Sequence, residues 1–186
     1  MLEMCKFILY ILCGLLVSCG YQSGPQGLSA RYSTISVPYI KGDVDGSFTA
    51  AVIKSVTDSG AFEYRPCNGA LVLNIKEVEV EEDNIGFRYY RRKSGKLTND
   101  TVPTEARITS TVEVSLVDAA SGCVVLGPDY ISTSVDYDHD YYLSRNGVNI
   151  FSLGQLTDLE EAYDAVQKPL HEAAAEKITD YITQSW

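Results

Sequence analysis

Residues 106–117 read Ala-Arg-Ile-Thr-Ser-Thr-Val-Glu-Val-Ser-Leu-Val. Ile108, Val112, Val114 and Leu116 share one parity. Side chains of a strand alternate between faces, so this spacing predicts a strand with one buried face. Asp118-Ala-Ala-Ser-Gly122 comes next, with turn chemistry. Upstream, Leu71-Val-Leu-Asn-Ile-Lys-Glu-Val-Glu-Val80 also alternates. Leu71, Leu73 and Ile75 form one face; the pattern slips near Lys76, as at a bulge, before Val78 and Val80. Ile85 to Arg92 is aromatic and either continues this strand or begins a hairpin. Downstream, Cys123 to Val135 holds further strand segments around Gly127-Pro128, and residues 137–158 read as irregular.

Helical spacing flanks these strands. Arg31 to Tyr39 reads as a strand ended by Pro38. Gly42 to Gly46 makes a turn, and Ser47 is placed to cap a helix beginning there. Phe48, Ala51, Val52 and Val56 predict a short helix over 47–58, with Gly60 just past its end. Leu159, Ala162, Val166, Leu170, Ala174, Ile178 and Ile182 step by three or four. They predict helix over 159–182, either one kinked at Pro169 or two abutting. A sheet with helices on one face is the economical way to bury both stripes. The expected fold class is α+β, an antiparallel or mixed β-sheet of about four strands with two helices packed on one face.

The amino terminus carries different information. Phe7 to Val17 is an apolar run of 11 residues. A helix needs about 20 to span a bilayer, whereas about 7–15 suit a signal-peptide apolar region. Lys6 precedes the run, and the small Ser18 precedes Cys19. Leu16-Val-Ser-Cys19 resembles a bacterial lipobox. That resemblance implies a lipoprotein signal peptide over 1–18, diacylglycerol on the Cys19 thiol, and acylation (palmitate) of the new amine. Several acyl chains anchor stably where one holds only marginally. Gly20, in place of Asp, implies the outer membrane by the sorting pattern of bacterial lipoproteins. Residues 19–30 have the Gly-, Ser- and Gln-rich composition of a flexible tether, leaving 31–186 as a single domain.

Composition narrows the function classes. The chain has 186 residues, 45% of them apolar, and a formal charge of −10. Loss of residues 1–18 removes one lysine and one glutamate, so 168 residues keep the −10. The acid excess argues against nucleic acid as a partner, since binding it needs a broad basic face. Two histidines, His139 and His171, leave little room for a histidine-rich metal site or a relay. Asp136-Tyr-Asp-His-Asp140 is oxygen-rich but lacks the glycine-turned spacing of a calcium loop. It is expected to be an acidic loop, and no metal or other cofactor is expected. The chain has no nucleophile elbow and no phosphate-binding glycine loop, so no enzymatic activity is expected.

Four features together resemble the LPS-assembly lipoprotein family, LptE. Cys19-Gly20-Tyr21 opens the mature chain. Ile35-Ser-Val-Pro-Tyr39 leads to a helix ending near Gly60, then Ala61-Phe62. A ladder with the Leu116-to-Gly122 turn comes third, and an Ala-rich helix closes the chain. The resemblance implies a plug inside the LPS-export β-barrel (an LptD-like partner). It also implies a part in delivering lipopolysaccharide to the cell surface, and lipid anchoring on the periplasmic side of the outer membrane. A different class stays open: a scaffold lipoprotein such as an activator of a cell-wall synthase.

The sharpest local signal is basic and aromatic. Arg88, Tyr89, Tyr90, Arg91, Arg92, Lys93 and Lys96 lie in a stretch without an acid from Asn84 to Asn99. Arginine forks suit the phosphates of LPS, and Arg–Tyr mixtures recur in protein interfaces. A solvated strand end whose charges block edge pairing is the bland alternative. The Asp118–Gly122 turn has no Lys or Arg. In the family, LPS contacts are basic residues at the sheet tip, so this turn departs from the pattern.

Cys67 and Cys123 are the pair left after the signal is removed and Cys19 is lipidated. If 71–81 and 106–118 form one long hairpin, they fall near each other and a disulfide is expected. If 86–92 inserts between those strands, they fall at opposite ends. The lipobox by itself generates a prediction. Cells fed a palmitate analogue should label the wild-type protein and not Cys19→Ser; equal labelling would remove the anchor.

Overall fold

The alternating stretches become three long strands in the computed structural model, which describes residues 27–91, 97–138 and 159–184. The elements are α1 (Leu28–Arg31), β1 (Thr34–Ser36), α2 (Ser47–Ser59), β2 (Glu63–Tyr64), β3 (Leu71–Arg91), β4 (Leu97–Asp118), β5 (Val124–Asp138) and α3 (Leu159–Gln184). One mixed sheet has the order β2-β1-β3-β4-β5. β1 runs parallel to β2 and β3, and the other pairings are antiparallel. The fold is α+β as expected, and the described residues hold five strands and three helices where about four and two were anticipated.

β3 and β4 pair directly as one hairpin, from Leu71 opposite Asp118 to Arg91 opposite Leu97. Residues 86–91 therefore continue β3 and are not a separate strand. At about 3.3 Å per residue, each arm is roughly 70 Å long. The slip expected near Lys76 appears as a register shift between Glu77 and Glu79. It turns the alternation over, so that opposite parities on the two sides of the bulge share a face.

The helix-facing side buries Leu71, Leu73 and Ile75 of β3, and Val112, Val114 and Leu116 of β4. Phe48, Val52 and Val56 of α2 close over them, with Ala174, Ala175, Ile178 and Ile182 of α3. A second cluster forms around Ile108, Val166 and Leu170, with Val135, Tyr137 and Tyr163 against it. The helical stripe across Pro169 is one continuous helix, not two. Its apolar positions on both sides of the proline reach the sheet, which holds the register through the missing backbone bond.

Local chemistry explains the connections. Ser47 does not cap α2; Gly46 is the cap residue, in a left-handed conformation with φ 80°. Asp43 serves the helix start instead. Its Oδ2 accepts from the Thr49 amide at 2.8 Å and the Thr49 hydroxyl at 2.6 Å, and its Oδ1 accepts from the Gly46 amide at 3.0 Å. Thr49 in turn accepts from the Ile40 amide, which ties the incoming loop to the helix. Gly60 ends α2 in the left-handed region, as its position implies. The link from β2 to β3 passes against β1: a Cβ on Gly69 would overlap the Ser36 amide nitrogen and the Ile35 carbonyl carbon. Residues 28–30, expected in the tether, belong to the helical turn α1, and Leu28 packs on the core.

Asp43→Ala leaves the Thr49 amide and hydroxyl without their buried partner. It should lower stability by about 2 kcal/mol, seen as a lower urea midpoint at unchanged slope.

Candidate functional site

Glu105 pairs with Asp138, the last described residue of β5, and past that level the β3–β4 hairpin goes on as a two-stranded ribbon among the described residues. Phe87 faces Pro103, Arg88 faces Val102 and Tyr89 faces Thr101. Phe87 is 47% exposed and Tyr89 63%, and Arg88 is exposed. Of the basic and aromatic residues singled out in the sequence, Arg88 and Tyr89 thus stand on this ribbon. The backbones of Tyr90 and Arg91 continue the strand. Arg92, Lys93, Lys96 and the lipid-attachment residue Cys19 lie outside the described residues.

Just before the ribbon, β3 carries Glu77, Glu79, Glu81, Glu82 and Asp83. One strand therefore places an acidic block next to a basic one. A different acid, on β5, is neutralised across the sheet. Arg107 forks onto Asp136, with Nε at 2.6 Å from Oδ1 and Nη2 at 2.8 Å from Oδ2. That fork holds the Asp136 carboxyl below its ordinary range. Asp136, the first acid of the oxygen-rich stretch, is thereby engaged by an arginine. Among the described residues no cluster of three His, Cys, Asp or Glu side chains could hold a metal ion. Tyr137, at the ribbon's base, has its hydroxyl pushed upward by burial and then by the nearby Glu82 carboxylate.

At the opposite end of the hairpin lies the Asp118–Gly122 turn. Asp118 Oδ1 accepts from the Ala120 amide at 2.8 Å and the Ser121 amide at 3.4 Å, and Oδ2 accepts from the Tyr32 hydroxyl at 3.2 Å. The Ala120 amide is the main cause that lowers the Asp118 carboxyl below its usual range. This turn is held to the body of the fold through Ala119, whose amide donates to Ala70. The basic ribbon is at the far end of β3 and β4, so the structure separates the two.

Cys67 and Cys123 are both free and exposed, so the expected bridge is not formed. The hairpin that was to bring them together does exist. The reason lies in the strand order. Residues 65–70 stay on β1, where the Arg65 amide donates to Ile35 and the Ala70 amide to Thr34 Oγ1. Cys67 is thus on the β1–β2 flank of the hairpin, whereas Cys123 sits at the β4–β5 turn on the other flank.

One pairing escaped the sequence. Ser47 Oγ lies 2.9 Å from His171 Nδ1, and the imidazole stacks on Phe48 with ring centroids 4.9 Å apart. The Asp45 carboxylate accepts from the Ser47 amide, and no hydrogen bond between it and the imidazole is found among the described residues. The set therefore ties α2 to α3 and lacks the arrangement of a hydrolytic triad. Ser47 and His171 are 124 positions apart, so no local spacing could have joined them.

A family model described as LptE, lipopolysaccharide-assembly, matches residues 32–182. Among solved structures, a minor lipoprotein from Acinetobacter baumannii is 17% identical, with a TM-score of 0.51 over 82% of this chain and 92% of that one. Rare lipoprotein B from Shewanella oneidensis is 14% identical, with a TM-score of 0.50 over 82% and 96% of the two chains. No curated protein sequence matches.

The Asp118 turn yields a pH dependence. Because its carboxyl titrates lower in the folded chain, Asp118 stabilises the fold above the unfolded carboxylate value of about 3.9. That stability is lost as pH falls through the depressed folded value. Urea midpoints of Asp118→Asn should lie below wild type at neutral pH, and the two curves should converge in acid.

Proposed function

Since the chain belongs to the LptE family of lipopolysaccharide-assembly proteins, we propose that it is an outer-membrane lipoprotein that plugs the LPS-export β-barrel. Its role in lipopolysaccharide assembly comes from the family. The barrel partner, the side of the membrane and direct contact with LPS are the finer parts of the proposal. One observation supports them: beyond the last described pairing of β4 with β5, the hairpin carries Arg88 and Tyr89 exposed on two paired strands.

The physical logic runs from shape to chemistry. A two-stranded ribbon is slim enough to enter a large barrel, whose lumen is polar and wet. Tyrosine packs its ring while its hydroxyl stays hydrated, and arginine offers a fork to a carboxylate or phosphate. The body of the fold, with both helices on one face, would remain at the periplasmic mouth. Acyl chains on Cys19 would hold it at the adjacent leaflet. Nothing in this role requires a reacting group. The function is placement: a rigid plug that leaves a path for glycolipid beside it.

The test is a photo-crosslinker at Tyr89 in cells, with identification of what it captures. Capture of an outer-membrane barrel is expected, and capture of a cell-wall synthase alone overturns the reading. Neutralising Arg88, Arg91, Arg92 and Lys93 together should cut barrel or LPS co-purification by about tenfold, the loss of a few interface charge contacts. Unchanged recovery of both refutes the role of the basic segment.

A further inference from the structure

β3 is covered on its outer side only near its start. β1 pairs with it at Leu71 and Val72, and the last tie is the Glu77 amide donating to the Lys41 carbonyl. From Val78 to Arg91, no strand among the described residues lies on that side. The free edge is about 45 Å long at roughly 3.3 Å per residue. Val78, Val80 and Ile85 along it are 47%, 43% and 38% exposed. Such an edge is a template for another strand unless something blocks it.

The charges on this edge fall into two halves. Glu79, Glu81, Glu82 and Asp83 occupy the first half, and Arg88 and Arg91 the second. The middle of the edge is at Asn84 and Ile85. We propose that a second copy of this chain pairs with the free edge of β3, antiparallel, about a two-fold axis near Asn84–Ile85. This register places Arg88 of one copy opposite Glu81 of the other, and Arg91 beside Glu79. Symmetry makes each match twice. A parallel arrangement would set acid against acid along the whole first half. Opposite charges facing each other across strands are favourable, and like charges are not.

The irregularities of β3 agree with this partner. Its own extra residues against β4 are Val78 and Ile85. In the centred antiparallel pairing, the Ile85 bulges of the two copies meet at the axis. A second copy carries matching bends, which a flat, unrelated strand does not. The net charge of −10 opposes indiscriminate self-association, so the dimer depends on this local match. The inference stands on the edge and its charges, independently of the barrel. If the ribbon also enters a barrel, dimer and barrel-bound states exclude each other.

The test uses the full lipoprotein purified in detergent, without barrel or LPS. Its mass is tracked by native mass spectrometry and light scattering across dilution and salt. A dimer that weakens with salt is expected. Arg88→Glu should weaken it about tenfold or more, because two attractive pairs become repulsive. The double variant Arg88→Glu/Glu81→Arg should restore it, which separates lost pairing from lost folding. A wild-type monomer at every concentration overturns the proposal, as does a dimer indifferent to Arg88→Glu. So does association that appears only on adding LPS, which would give the edge to an anionic glycolipid.

Discussion

The antiparallel ladder between β3 and β4 is the constraint on which the other elements depend. Leu71 to Ile75 and Val112 to Leu116 supply the floor on which α2 and α3 rest. β5 pairs with β4 only as far as Glu105, and β1 with β3 only at its first residues. Two arms of such length, partnered along only part of it, leave edges without a neighbouring strand among the described residues. The backbone there is satisfied by one neighbour on one side and by water or a partner on the other. The ribbon and the free β3 edge are thus consequences of unequal strand lengths among the described residues.

Burial along β3 grades from one end to the other. Near the turn at Asp118 the sheet carries the main core, closed by both helices. Farther along, a smaller cluster around Ile108, Val166 and Leu170 is covered by α3. Between them Ser110 and Thr133 form a buried polar row, with the Ser110 hydroxyl donating to Glu77. Past the last described residue of β5, Phe87, Arg88 and Tyr89 of β3 are exposed, while Val102 of β4 is buried. Apolar burial anchors one end so that polar and aromatic groups can be presented rigidly at the other.

Much of this was legible in the residues. The parity of Ile108, Val112, Val114 and Leu116 marked the buried face of β4, and all four are fully covered. The slip near Lys76 located the bulge within a few residues. Gly60 closed α2 where its spacing put it. Other features were not legible, for definite reasons. The capping role of Asp43 depends on a loop folding back over three residues of turn, so the nearer Ser47 looked the better candidate. The separation of Cys67 from Cys123 depends on β1 lying outside β3, which no spacing in the chain encodes. Arg88 and Tyr89 could be singled out by composition, but their place opposite Val102 and Thr101 depends on the register of β3 against β4.

By itself the sequence determined the period of each segment, the sign and blocks of charge along β3, and the family resemblance. These are local properties, set by side-chain volume, polarity and the alternation of a pleated strand. The tertiary structure alone decided strand order, which edges stay bare, and which distant groups meet, such as Ser47 with His171. Those outcomes come from the common burial of separate segments in one core. Pairing between segments is settled by their mutual fit, and no single segment contains it.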